Sequence, residues 1–259
     1  MSAALRQERS RLAGWSAYLA ALSIPVLIIA AIGHRARLIE ATPTYSIIAL
    51  GFSLAALAVI AALAAFIAIW RDGRRGTAAA VRGFVLGLVV LVMPAVGAWD
   101  IVTYPRLTDI STDLLDPPRF TRAIFDRSAD DGAIVAPGEY EAALQKEAYP
   151  DVVPRHYPVS TARVYQEAKT IVDERGWEVV TAHEPSDDNP AGTIEAVAVT
   201  LIFGFRQDVV IRVAPDGDGS LVDMRSAARN AAHDLGSDAA RIRRFFGDLD
   251  TALEGVSGQ

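Results

Sequence analysis

The amino-acid sequence predicts an α-helical membrane anchor of three transmembrane helices, followed by an α+β outer domain with an antiparallel sheet of about four strands and flanking helices. Three observations lead there. Long uncharged apolar runs fill the first 99 residues, the charge balance reverses near position 100, and a helix, four strands and a helix follow in order after position 159. Residues 1–99 hold nine arginines against three acids, a balance of +6, whereas residues 100–259 hold 16 basic and 28 acidic residues, a balance of −12. The acidic part argues against nucleic-acid binding, which needs a basic surface to neutralise phosphates. With no cysteine in the chain, disulfides, thiolate catalysis and cysteine-ligated metals are excluded.

The first span is predicted at 12–33, between Arg11 and His34, and the second at 41–70, between Glu40 and Arg71. The third, 83–99, is shorter and reaches a spanning length by starting near Thr77, with Arg82 snorkelling to the headgroups. About 20 residues of helix cross a hydrocarbon core. Trp15, Trp70 and Trp99 stand at span edges, where amphipathic rings prefer to lie. The first run is too long for a signal-peptide core and two more spans follow it, so it is read as retained. Gly83 and Gly87 allow close helix docking, either on a partner subunit or among the chain's own helices. No acid or base lies deep in a span, which weighs against an ion pump or proton relay.

Arginines set the expected orientation. Arg6, Arg9 and Arg11 of the tail and Arg71, Arg74, Arg75 and Arg82 of the second loop outweigh Arg35, Arg37 and Arg106 on the other side. The positive-inside bias places the N-terminus in the cytoplasm and the C-terminal domain in the periplasm, in a bacterial inner (plasma) membrane.

Residues 100–158 read as an extended, proline-rich linker segment packing on the domain, with one helix at 138–148. The α+β domain proper is predicted at 159–256. A helix runs from Ser160 to the stop at Gly176, with Val164, Ala168, Ile171 and Val172 on one face. Strands follow at 177–182, 193–203, 205–214 and 221–227, the last two joined by the turn signal "PDGDGS". The final helix carries Ile242, Phe245, Phe246, Leu249 and Leu253 on one stripe.

The stretch "LTDISTDLLDPPRF" (107–120), "YP" at 149–150, "GW" at 176–177, "IEAVAVTLIFGFRQDVVIRV" and "VDMRSAARNAAHDLGSDAARIRRF" (222–245) together resemble one bacterial family, domain of unknown function 1499. The resemblance spans roughly 105–255 and implies a recurrent domain, in some members preceded by membrane spans, without implying a reaction. It also implies Ser near Ala228, Gly near Ala231 and Asn at Asp238, so this chain departs from the pattern at all three positions.

Two clusters are candidate sites for a ligand or partner. Asp109, Thr112, Asp113 and Asp116 supply oxygens for a hard cation, but their spacing fits no compact calcium loop and Pro117-Pro118 stiffens one side. Local bonding of these side chains in a packed tether is the favoured alternative. Arg225, Ser226, Arg229, Asp234 and Arg241, with Asp223 and His233, form either an anion clamp near a helix N-terminus or an internal Arg–Asp network, the latter favoured. No catalytic residues, metal site or cofactor are expected: the four histidines are scattered, and no nucleophile elbow, P-loop or dinucleotide fingerprint occurs. The functional expectation is a non-enzymatic accessory or structural protein that contacts membrane lipids and docks to a membrane protein complex or periplasmic protein. A lipid- or amphiphile-binding module, with Arg225 or Arg229 meeting the head group, is the alternative. A hydrolase using groups around 223–234 is a third reading.

Overall fold

The computed structural model describes residues 8–128, 131, 132, 134, 137–230 and 233–254; Arg6 and Ala231 lie outside them. The chain divides into two compact units, residues 1–99 and 100–259.

The first unit contains α1 (Arg11–Arg35), α2 (Ala41–Asp72) and most of α3 (Thr77–Thr103). All three are long and apolar enough to cross a membrane. Their burial pattern is the inverse of a water-soluble bundle. Ala20, Ala55, Ala58, Ala62, Ala65, Gly83 and Gly87 are buried, whereas Ile28, Leu57, Ile60 and Val89 are exposed. Small residues inside let backbones approach, and large apolar side chains outside suit a lipid solvent. A Cβ on Gly83 would lie 2.5–2.7 Å from the α1 backbone at Ser16 and Ala17, and one on Gly87 would lie 3.0 Å from the Ala55 carbonyl of α2. Both glycines therefore serve packing within the chain itself. Ser16 adds a cross-helix hydrogen bond to the Ala58 carbonyl at 2.8 Å. At one end, Ser10 N–H donates to the Arg75 carbonyl at 2.8 Å, so the tail and the second loop share a side.

The second unit is α+β, as the sequence predicts, but its sheet has six strands rather than four. The strands β3 (Glu178–His183), β4 (Gly192–Val199), β5 (Arg206–Asp216) and β6 (Gly219–Ala228) form an antiparallel meander. Two three-residue strands, β1 (Asp109–Ser111) and β2 (Arg155–Tyr157), share the outer edge of β6. The first pairs with residues 225–227 and the second with 220–222. Both come from the segment read as a linker, which is thus built into the sheet. Three residues show no periodicity, so pairing on β6 alone defines them. Conversely, the second expected strand ends at Val199 instead of 203, and residues 200–205 form the turn into β5.

Helices α5 (Thr161–Glu174) and α6 (Ser237–Glu254) cover one face of this sheet. α5 ends at Glu174, and Gly176 just beyond it, with a φ of 65°, lets the chain reverse into β3. Val164, Ala168, Ile171 and Val172 of α5 join Ile242, Phe245, Phe246 and Leu249 of α6 over Ile194, Ala196, Val209, Ile211, Val222 and Met224. Each large side chain in this layer contributes about 1.5–3 kcal/mol through burial. Trp177 stacks on Phe245 with ring centres 6.3 Å apart, and Tyr157 donates to Asp250 at 2.7 Å, tying β2 to α6. The helix predicted at 138–148 is the ten-residue α4 (Glu139–Ala148).

The helix packing makes a direct prediction. Gly83→Val pushes α3 off α1 and lowers bundle stability by about 1–3 kcal/mol, as overpacking does. Gly97→Val, on the same helix with nothing within 4 Å of the new Cβ, leaves it unchanged. Unfolding of the full chain by SDS titration in mixed micelles measures both.

Candidate functional site

Side chains alternate along a strand, so the face of the sheet away from α5 and α6 is fixed by register. It carries Glu195 of β4, Asp208 and Arg212 of β5, and Asp223 and Arg225 of β6. Such residues ordinarily face water. Here Asp208 is fully buried, and Asp223, Glu195 and Arg225 are 1–4% exposed. Residues 112–128 lie over them as a strap, whose one regular element among these described residues is a 3₁₀ turn, Ala123–Asp126.

The strap is held by ions and backbone groups. Arg212 donates to Asp223 at 2.9 and 3.1 Å, to Asp116 at 2.8 Å and to Asp113 at 3.2 Å. Thr112 accepts from Met224 N–H at 3.0 Å, while its own N–H donates to the Met224 carbonyl at 2.9 Å. Arg225 forks onto Asp109 at 2.6 and 2.8 Å, donates to the Pro118 carbonyl at 3.2 Å and lies 5.1 Å from the Phe120 ring centre. Arg229 meets Asp208 at 2.6 and 2.9 Å and Asp126 at 3.1 Å, and Arg127 of the strap reaches the second Asp208 oxygen at 2.8 Å. Gln145 of α4 brackets Ser111 like a strand, donating at 2.6 Å to its carbonyl and accepting at 3.1 Å from its N–H.

Glu195 is the anionic anchor of the strap. Its carboxylate accepts from the N–H groups of Thr121, Arg122 and Ala123 at 2.8–3.0 Å and from the Thr121 hydroxyl. Burial alone would raise its pKa, but these donors outweigh it and hold the carboxyl below the ordinary range. Asp223 goes the other way: burial raises it despite Arg212, and Asp113 adds to the rise.

A second cluster lies on the helix side. Ser226 donates to Asp238 at 2.6 Å, and Arg241 donates to Asp238 at 2.7 Å and to Ser226 at 2.9 Å. Asp234 accepts from Gly236 and Asp238 N–H groups at 3.1 and 2.9 Å, capping α6. His233 accepts at Nδ1 from Leu235 N–H at 2.9 Å, so its Nε2 carries the proton and donates to the Tyr104 carbonyl at 3.1 Å. Burial pushes the Asp238 carboxyl up to about 7, with Arg241 opposing and Asp234 adding to the rise. One Asp238 oxygen and the Gln207 carbonyl oxygen are buried without a hydrogen-bond partner.

The sequence-predicted residues thus fall into separate clusters. Asp109 joins Arg225; Asp113 and Asp116 join Asp223 through Arg212, and Thr112 donates to Asp223 directly; Arg229 joins Asp208; Ser226, Asp234 and Arg241 gather at Asp238. Arg225 and Ser226 are neighbours in sequence but face opposite sides of the sheet. Asp113 and Asp116 meet one arginine, which accounts for both without a cation. Among the described residues no three His, Asp or Glu side chains are grouped to hold a metal. Sequence reading missed Arg212, Asp208, Glu195 and Gln145. Asp208 and Arg212 did carry a signal, since both share the period-two face of "FRQDVVIRV" with Val210.

Two grooves flank α4. One, about 900 Å³, lies between Arg106–Asp109 and Tyr140, Glu141 and Leu144; the other, about 720 Å³, is bordered by Leu114, Leu115, Ala142, Lys146, Val152 and Val153.

Fold and site define a class: an α+β domain with an internally neutralised second sheet face, carried behind three helices long enough to span a bilayer. Residues 109–249 match the family model described as "Protein of unknown function (DUF1499)". The match covers more than half of the chain, and the protein belongs to that family. No curated protein matches it.

Two outcomes follow from the ion pairs. Arg225→Leu leaves Asp109 unpaired and costs about 3–5 kcal/mol, while Asp109→Leu/Arg225→Leu costs less. Urea unfolding of the full chain in detergent measures this, and faster amide exchange over 107–128 locates it. Asp238 has the second signature. Its folded pKa lies above the unfolded value of 3.8, so its contribution is full below that value and is lost as pH rises through about 7. Asp238→Asn flattens the stability profile across that window.

Proposed function

We propose that this protein is a non-enzymatic accessory or structural protein of the bacterial inner membrane. Its N-terminus lies in the cytoplasm, and its outer domain, in the periplasm, docks to a larger membrane complex or a periplasmic partner. One observation carries the non-catalytic reading: the acids and arginines gathered around the sheet are committed to one another. A general acid, base or nucleophile needs an accessible group facing a substrate, whereas Asp208, Asp223, Arg225 and Arg229 are buried and ion-paired. The arginine excess on the side shared by the tail and the second loop supports the orientation.

The groove beside α4 supports docking. Its rim turns Leu115 fully outward and leaves Val153 half-exposed, directly beside the strap that the arginines hold in place. Exposed apolar side chains rimmed by polar ones mark contact surfaces. The apolar lining also supports a second reading, an amphiphile-binding module. It does so at α4 rather than between sheet and helices, where the core fills the space and Arg225 and Arg229 point the other way.

A photo-crosslinking residue at Leu115 in native membranes, followed by purification in mild detergent and native mass spectrometry, tests both. The expected result is a protein adduct and a larger complex that Leu115→Asp disperses. A co-purifying small molecule without protein favours the amphiphile module, and a bare monomer under every gentle condition overturns docking.

A further inference from the structure

The outer domain has an apolar end and an acidic end. In the meander, the β4–β5 turn and the β5–β6 turn lie at opposite ends of β5. The first, residues 200–205, carries Leu201 90% exposed and Ile202 half-exposed, with Val199 beside it. The second carries Asp216 and Asp218, and the β3–β4 connection at its end of the sheet carries Glu184, Asp187 and Asp188. Asp126, paired with Arg206 at 3.0 Å, brings exposed Phe125 toward the apolar end as well.

The apolar end is also where the chain arrives from its third apolar helix. Leu107 accepts from Asp234 N–H at 3.0 Å, and Thr108 accepts from Ala228 N–H at 2.9 Å. Ala228 is in register with Gln207, next to Arg206, which pairs with Val199. Asp100, the first acid after the apolar run, marks the limit of hydrocarbon. From there to Leu107 the chain, helical to Thr103 and then at most extended, reaches about 20 Å. The short covalent connection leaves residues 200–205, at the end of the sheet where the chain enters, within reach of a membrane surface.

We propose that the β4–β5 turn, through Leu201 and Ile202 with Phe125 alongside, dips into the interfacial layer of the bilayer and fixes the domain against the membrane. Apolar burial drives the contact. The domain's acidic balance disfavours an electrostatic one, so zwitterionic lipid is sufficient.

The cysteine-free chain suits single labels. Full-length Leu201→Cys, Phe125→Cys and Asp218→Cys are each labelled with bimane and reconstituted in phosphatidylcholine nanodiscs with and without doxyl-labelled phosphatidylcholine. Doxyl lipid is expected to remove most of the emission at 201 and 125 and little at 218. Either apolar-end reporter, in a variant that retains the wild-type circular dichroism, decides the matter. Emission at 201 and 125 as persistent as at 218 overturns the proposal. So does shielding that occurs only in native membranes, which would assign the turn to a protein partner.

Discussion

A charged group removed from water must find a partner, and the second face of this sheet holds several such groups at once. Burying an unpaired carboxylate or guanidinium costs several kcal/mol, more than most single contacts return. Asp208, Asp223, Arg225 and Glu195 are therefore tolerable only while something covers them with matching donors and acceptors. The strap is that cover. Its carboxylates, carbonyls and backbone N–H groups answer the sheet residue by residue, from Asp113 and Asp116 on Arg212 to Thr121–Ala123 on Glu195.

This constraint explains why a segment almost without helix or strand is nevertheless held against the sheet. Loops normally run over the surface because their polar backbone cannot be paired inside. Here the sheet supplies the pairing: Arg225 takes the Pro118 carbonyl, Arg229 takes the Asp126 carbonyl, and Glu195 takes three successive N–H groups. Prolines suit such a path, since they lack an N–H that would need a partner and reduce the entropy of the free chain. The same network sets the position of Leu114 and Leu115, so the groove beside α4 inherits its shape from ion pairs beneath it.

The two units solve the burial problem in opposite ways. Among the three apolar helices, small residues meet between the helices and large ones face out, the pattern that suits a lipid surrounding. In the outer unit one face of the sheet is a dispersion-packed apolar layer and the other an electrostatic one. Apolar contacts are insensitive to pH, whereas Asp238 on the helix side and Glu195 under the strap link folding to protonation with opposite sign, one raised by burial and one lowered by its donors.

Length and apolar run determined three helices long and apolar enough to cross a membrane, because crossing hydrocarbon leaves little freedom in composition. Period 3.6 in α5 and α6 and period 2 in β4–β6 determined the α+β order, since each pattern reports one buried face. The family was legible in blocks spread along the outer domain. Pairing partners were not. Asp109 and Arg225 are 116 residues apart, and Asp116 and Arg212 are 96 apart, so no local spacing connects them. Strands β1 and β2 are too short to have a period and exist only because β6 offers an open edge. Which acids are ligands and which are counter-ions depends on what long-range folding places above each one, and only the tertiary structure decided that.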